Sequence, residues 1–476
     1  MIDFDLVIRN GTVVTAADTS ICDVAVSNGR IVALGENLGV GREEVDATGL
    51  YVLPGGVDAH CHLDQPMGLG IQMADDFESG TRSAACGGTT TVIPFAAQSK
   101  GQSLRAAVED YHHRAENRAC IDYSFHMIIS DPSSKVLSEE LPALINEGYT
   151  SFKIYMTYDD LKLNDRQILE TLAVARKEGA MTMIHAENAD CIAWLTEALE
   201  KAGHTTPRYH ADSRPAIVER EATHRAISLA ELVDIPVLIV HVSGTQAIEQ
   251  IRWAQSRGLR VYAETCPQYL FLTAEDLNLN GFEGAKCVCS PPPRDESNQE
   301  SVWEGLENGT FQVFSSDHAP FRYEDSQGKK AAGEDASFQH IPNGIPGLET
   351  RLPLLFSEGV LMGRLDITRF VALTSTNPAR IYGLYPRKGS ITVGADADMA
   401  IWDPNGEWTV KNENLHHDVD YSPYEGMKLR GRLKVTVSRG QAVFRDGVYL
   451  GSAGTGEFLT RERPQPARPR GESRGF

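Results

Sequence analysis

Residues 219–263 read EREATHRAISLAELVDIPVLIVHVSGTQAIEQIRWAQSRGLRVYA and alternate two helical patterns with two short apolar runs. Glu219–Val233 and Thr245–Ser256 carry apolar residues at helical spacing. Val237-Leu238-Ile239-Val240 and Arg260-Val261-Tyr262-Ala263 are short and almost continuously apolar, as parallel strands buried on both faces must be. Working outward, six more such runs appear: 53–58, 89–93, 123–129, 151–155, 181–184 and 312–315. Asp165–Lys177, with Asn164 as its N-cap, is a further connecting helix. Strand–helix alternation repeated eight times predicts a parallel (β/α)8 barrel, an α/β architecture.

The two ends of the chain have a different texture. Near the N-terminus, Asn10-Gly11 and Asn28-Gly29 each sit between apolar runs, the pattern of antiparallel hairpins. Near the C-terminus, runs at 399–402, 434–437 and 442–444 lead to Asp446-Gly447 and then 448–450. Neither end has enough strands for a stable sheet of its own, so both are expected to complete one β-sandwich. The predicted organisation is a sandwich built from 1–53 and 384–456, a barrel over 54–383 between them, and a tail over 457–476. That tail, EFLTRERPQPARPRGESRGF, has three prolines, five arginines and no apolar period. It reads as extended or disordered, either solvated or docked on a neighbouring subunit.

Composition narrows the function classes. The 476 residues carry 45 Lys+Arg against 65 Asp+Glu, a net charge of −20. Nucleic acid and anionic membrane both require concentrated positive charge, so neither is expected as a partner. No apolar run has the length of a signal peptide or a membrane span. Eight cysteines without C-x-x-C spacing suit buried thiols in a reducing cytoplasm, not a disulfide scaffold or a thiolate zinc site.

Chemistry gathers at the predicted strand ends. His60 and His62 close the first run, Lys153 lies in the fourth, His185 ends the fifth, His241 the sixth and Asp317 the eighth. Barrel active sites form at that face, so these residues should converge. The His-x-His pair presents both imidazoles on one side of a strand. A lone strand-end histidine is commonly structural, but four with a carboxylate form a donor set for zinc, manganese or a similar ion. Lys153 in SFKIYM is costly as a bare buried ammonium; it is either paired with a barrel carboxylate or held as a neutral amine.

The blocks PGGVDAHCHLD (54–64), CGGTTTVIPF (86–95), TSFKIYMTY (150–158), HAEN (185–188), VHVSG (240–244), AETCPQYL (263–270), SPPPR (290–294), SSDHAPF (315–321), IPNGIPGLETR (341–351) and GSITVGADADMAIWDP (389–404), in that order, resemble the amidohydrolase superfamily and its dihydropyrimidinase/D-hydantoinase group. The resemblance covers nearly the whole chain. It implies a cyclic amidase that hydrolyses dihydropyrimidines or 5-substituted hydantoins to N-carbamoyl amino acids, and a homotetramer. It implies two divalent metal ions per chain, zinc first and manganese as the alternative. His60, His62 and Asp317 then resemble ligands of one ion and His185 and His241 ligands of the other. Lys153 resembles the lysine that takes up carbon dioxide and bridges both ions as a carbamate (N6-carboxylysine). Asp317 is also implied as the general base, Tyr158 as donor to the oxyanion, and Ser290 and Asn343 as residues whose backbone groups hold the ring.

Neighbouring groups fit less well. Dihydroorotases place an arginine where this chain has Asp64, and that carboxylate should repel a substrate carboxylate. Allantoinases typically show Glu-Pro-Gly where this chain has Gln65-Pro66-Met67, and lack the Ile-Pro-Asn-Gly block; allantoinase nevertheless stands as the alternative enzyme reading. Non-catalytic scaffold proteins of the same fold have lost metal ligands, and all six positions are filled here. The loop LDQPMGLGIQM (63–73) resembles a gate over the substituent at ring carbon five, with Met67, Leu69 and Ile71 as apolar candidates.

Overall fold

The computed structural model describes residues 3–68 and 70–471. Its centre is a barrel of eight strand positions, all paired in parallel. The first is Gly56–Asp58; the fourth to eighth are Ser151–Tyr155, Met181–His185, Val237–Ile239, Val261–Thr265 and Val313–Phe314. The second and third are each broken into two pieces, Thr89–Val92 with Phe95–Ala97, and Asp122–Tyr123 with His126–Ile128. Pro94 sits at the first break and has no N–H to donate, so the ladder is carried across by Ser124 N to Val92 O and His126 N to Pro94 O. The barrel closes where Cys61 bridges His318 in parallel and His62 N donates to His318 O at 2.7 Å. Helices Asp165–Glu178, Ala216–Val233 and Thr245–Ser256 stand where their periodicity predicts; Asn164 and Gln167 form a reciprocal capping box on the first.

The chain ends do meet in one sheet. Tyr51–Pro54 pairs antiparallel with Met399–Thr409, and a nine-stranded sheet runs through both ends. It wraps a core of its own that includes Ile8, Val24, Val52, Met399, Ile401 and Val437. Asn28-Gly29 and Asp446-Gly447 are hairpin turns with both residues at positive φ. Asn10-Gly11 is not. Phe4–Val14 is one continuous strand, with a bulge between Ile8 and Gly11. The bulge lets the strand's first half pair with Gly41–Asp46 and its second half with Tyr51–Pro54, both in parallel, so this end is not purely antiparallel. A Cβ on Gly11 would collide with the Val52 side chain, which is why glycine stands there. The seam between sheet and barrel holds a buried cluster: Lys388 Nζ lies 2.6 Å from Asp122 and Asp398 and 3.0 Å from Asp396.

The tail is a strap on its own barrel, contrary to the solvated reading. Tyr123 N donates to Glu457 O and Leu459 N donates to Tyr123 O, extending the third barrel strand. Phe458 packs among His112, Tyr123, Phe125 and Tyr149. Leu459 and Ala467 are fully buried, sealing the barrel floor beside Ile381 and Tyr382. Arg461, also buried, donates to Ser151 Oγ, Phe125 O and Tyr382 O. The low apolar content hides these few anchors, and backbone pairing needs no hydropathy period. Residues 472–476 of the predicted tail, and Leu69, lie outside the described residues.

Candidate active site

The C-terminal ends of the strands converge as the sequence predicts. His60, His62, Lys153, His185, His241 and Asp317 all lie within this mouth, and each is at most 9% exposed. His60 and His62 face the same way, ring centroids 5.5 Å apart. Asp317 Oδ1 sits 3.1 Å from His60 Nε2 and 3.5 Å from His62 Nε2. Lys153 Nζ is 2.9 Å from His60 Nε2, and His185 Nδ1 is 3.0 Å from His241 Nε2. Tyr158, His241 and Asp317 adopt left-handed backbone conformations, with φ of 66°, 38° and 47°. Such strain costs on the order of 1–3 kcal/mol per residue and clusters at functional sites.

A ring of polar groups fixes which nitrogen each imidazole presents. Glu264 Oε1 takes His60 Nδ1 at 2.5 Å, Gln65 Oε1 takes His62 Nδ1 at 2.7 Å, and Glu187 Oε2 takes His185 Nε2 at 2.7 Å. Glu187 is held in turn by Arg214 at 3.4 Å. Partners of this kind orient metal-binding imidazoles and raise their basicity. Sequence reasoning assigned none of them a role, although Glu264 stands in AETCPQYL and Glu187 in HAEN. The available signal was a carboxylate at the C-terminal end of an otherwise apolar strand.

The electrostatics suit a cation. Burial pushes the His62, His185 and His241 pKa values down, and Lys153 adds to this, so all three imidazoles are neutral. Burial and Lys153 act the same way on His60, but Glu264 and Asp317 outweigh them and its pKa rises. Burial alone would raise the Asp317 pKa; His60, His62 and His241 hold it well below the ordinary carboxylate range. Lys153 is pushed down to about 8 by burial, against the pull of Asp317 and Glu264. His185 Nδ1 and His241 Nε2 lie 3.0 Å apart, and His241 Nδ1 is buried without a hydrogen-bond partner. His60, His241 and Asp317 bring one ligand atom each within 4.8 Å of one another. This donor set, neutral nitrogens and carboxylate oxygen, fits divalent metal ions. A second cluster, Cys86, Glu349 and His416, lies at the barrel–sheet seam. There Glu349 is already satisfied by His416, at 2.9 Å to Nδ1 and 2.8 Å to the backbone N.

A cavity of about 690 Å³ opens above the cluster. Tyr158, Ser290 and Asn343 line it, with Asn343 Nδ2 3.4 Å from the Tyr158 hydroxyl. Burial raises the Tyr158 pKa despite Arg214, so the phenol keeps its proton at neutral pH. Met67, Ile71, Met73, Leu161 and Phe321 supply apolar wall. Asp64 turns away from the cavity and pairs with Arg114 at 3.1 Å. The expected repulsion of a substrate carboxylate therefore has no geometric basis; what the position lacks is only the arginine.

A parallel eight-stranded barrel with a metal-type donor set at its C-terminal mouth and an accessory sheet from both chain ends defines a metal-dependent hydrolase of the amidohydrolase type. The chain belongs to the amidohydrolase family, in its D-hydantoinase/dihydropyrimidinase group: the profile described as "Amidohydrolase family" matches residues 51–443. The D-hydantoinase of Geobacillus stearothermophilus is 47% identical over 459 residues, covering 96% of each chain. The dihydropyrimidinase structure from Brevibacillus agri superposes with a TM-score of 0.94 at 44% identity, covering 97% of this chain and 99% of that one. The D-hydantoinase structure from Bacillus sp. AR9 gives 0.93 at 46% identity, with 96% and 99% covered. No helix among the described residues is long and apolar enough to cross a membrane.

Proposed function

We propose that this chain hydrolyses the ring amide of dihydropyrimidines or 5-substituted hydantoins to N-carbamoyl amino acids. The observation that carries the reading is that His62, Lys153, His185, His241 and Asp317 line one cavity together with Tyr158, Ser290 and Asn343, with His60 buried against Lys153 and Asp317. His60, His62 and Asp317 would hold one divalent ion and His185 and His241 a second, with Lys153 between them. Zinc is the first choice and manganese the alternative. Ions bound there polarise the ring carbonyl and activate water as a nucleophile near neutral pH.

The chain's own residues do the rest. Backbone groups of Ser290 and Asn343 hold the cyclic amide flat against the cluster. The protonated Tyr158 hydroxyl donates to the oxygen that gains charge as the carbonyl is attacked. Asp317 accepts the proton of the attacking water and passes it to the departing ring nitrogen, and the C–N bond breaks to give a carboxylate and a ureido group. With its pKa near 8, Lys153 has a neutral fraction at physiological pH. Its amine can add carbon dioxide, losing one proton, to become the carbamate. The curated relatives at 41–47% identity are named D-hydantoinase or D-phenylhydantoinase, against 29% for an L-hydantoinase, and this supports preference for the D enantiomer. Eight unpaired cysteines support a reducing cytoplasm, and the family resemblance supports a homotetramer.

Two measurements test the reading. Elemental analysis of the purified protein should find about two transition-metal ions per chain, and Lys153→Ala should lose most of that metal and of the turnover; wild-type values in the variant would overturn the mechanism. A panel of dihydrouracil, hydantoin, D- and L-phenylhydantoin, allantoin and dihydroorotate should show ring opening on the first group; turnover of allantoin alone would transfer the assignment to allantoinase.

A further inference from the structure

Lys329 is 1% exposed, in the long loop that follows the eighth strand. Among the described residues no carboxylate lies within ion-pair distance of it. Its Nζ donates to Val288 O at 2.9 Å and to Pro342 O at 2.7 Å, and lies 5.8 Å from the Phe321 ring. A buried ammonium without a counter-ion is expensive and is retained where its hydrogen bonds matter. Burial pushes its pKa down to about 7, against a weak opposing influence of Cys289 and Cys287.

Where those two carbonyls stand gives the lysine its meaning. Val288 is two residues before Ser290, and Pro342 immediately precedes Asn343. Val288 O also accepts Gly344 N at 3.0 Å, so one carbonyl receives both the lysine and the facing segment. His210 Nε2 pins the intervening Cys289 O at 2.8 Å. The two segments come from different loops and have no regular sheet or helix between them. Lys329 bridges both through their backbone carbonyls, from the side away from the Tyr158 hydroxyl, which meets the Ser290 and Asn343 side chains in the cavity.

We propose that Lys329 is a positioning residue for the substrate: it sets the spacing between the Ser290 and Asn343 segments, and so the width of the slot that receives the planar ring. The proposal rests on the reading that those segments hold the ring. Lys329 does not line the cavity and touches no metal-type donor, so its effect should fall on substrate binding and not on the metal cluster.

The test is steady-state kinetics on hydantoin with the metal-loaded enzyme, with metal content and thermal inactivation measured alongside. Lys329→Met removes both donors at similar length. It should raise KM about 10-fold or more and leave kcat within about 3-fold, the signature of lost uniform binding, with metal content unchanged. Lys329→Gln keeps an amide NH2 and should recover part of the loss. Asn343→Pro, which removes the backbone N–H that the ring-holding reading uses, separates the two levels when run in parallel: a KM change there with none in Lys329→Met overturns the clamp alone, whereas no KM change in Asn343→Pro overturns the ring-holding reading beneath it. Parallel loss of kcat, metal and stability in Lys329→Met, or failure of both lysine variants to fold, would assign the residue to the core and overturn the positioning role.

Discussion

Glu264 grips His60 through a single oxygen: Oε1 lies 2.5 Å from His60 Nδ1 and also accepts the His241 amide at 3.1 Å, with both side chains fully buried. One carboxylate thus orients a ligand of each predicted ion. It also raises the basicity of His60 against burial. Glu264→Gln keeps the shape but removes the charge. Metal affinity, measured by competition with a chelator, should fall about 10–100-fold, the usual cost of losing such a partner. An unchanged affinity would reduce Glu264 to packing.

The strap reaches the same site from below. Arg461 donates to Ser151 Oγ at 2.6 Å; Ser151 Oγ lies 2.5 Å from His126 Nδ1, and His126 Nε2 lies 3.0 Å from Ala59 O, next to His60. Arg461→Ala leaves buried acceptors at Phe125 and Ser151 without a donor. The expected loss is about 2–4 kcal/mol, given the cost of each stranded buried group. It should appear as a shorter activity half-life at elevated temperature, and truncation after residue 456 should shorten it further. A truncated protein as durable as the parent would contradict the strap's structural role.

Asp75 links three segments, accepting from His318 Nε2 at 3.0 Å and from Asp418 N at 2.8 Å. Burial alone would raise its pKa; the hydrogen bond and charge of His318, and the charge of His417, outweigh burial and hold it below the ordinary aspartate value. The folded state then binds fewer protons than the unfolded chain between the two pKa values. Its stabilisation is complete above about pH 5 and is lost as pH falls through the folded-state value. Asp75→Asn should lower the thermal midpoint at pH 7, and the gap to the parent should narrow as pH is lowered toward about 3. A gap of constant size would mean that the carboxylate charge contributes nothing.

The barrel was legible because buried parallel strands leave short apolar runs, and 237–240 and 260–263 survive almost unchanged as Val237–Ile239 and Val261–Thr265. The converging histidines were legible because strand ends share one face. Asn10-Gly11 misled because a left-handed residue serves a bulge as readily as a turn; only pairing partners distinguish them, and those lie about 40 residues away at Val52. Glu264, Glu187 and Gln65 were silent because their roles depend on which imidazole nitrogen they meet, which no spacing encodes. Arg461 and Lys329 stand in polar stretches without an apolar period, and nothing local in the sequence marks either as buried. Their burial is set entirely by tertiary contacts.

Asp64 shows the same limit at the level of specificity. Charge reasoning from sequence places a carboxylate where dihydroorotases carry an arginine and expects it to repel an anionic ring. In the fold the Asp64 side chain meets Arg114 at 3.1 Å, both about 30% exposed, outside the residues that line the cavity. Removing its charge should therefore leave catalysis on dihydroorotate where it was. Asp64→Asn is expected to alter kcat/KM for that substrate by less than about 2-fold and to cost at most about 1 kcal/mol of stability, as befits a half-exposed pair. Asp64→Arg should not create a dihydroorotase either, because the side chain starts from a left-handed backbone, φ 47°, aimed toward Arg114. Two cations would then face each other, and stability should fall more than in the asparagine variant. A large rise in dihydroorotate turnover in Asp64→Asn would restore the repulsion argument and require the 63–73 loop to swing Asp64 into the cavity during turnover.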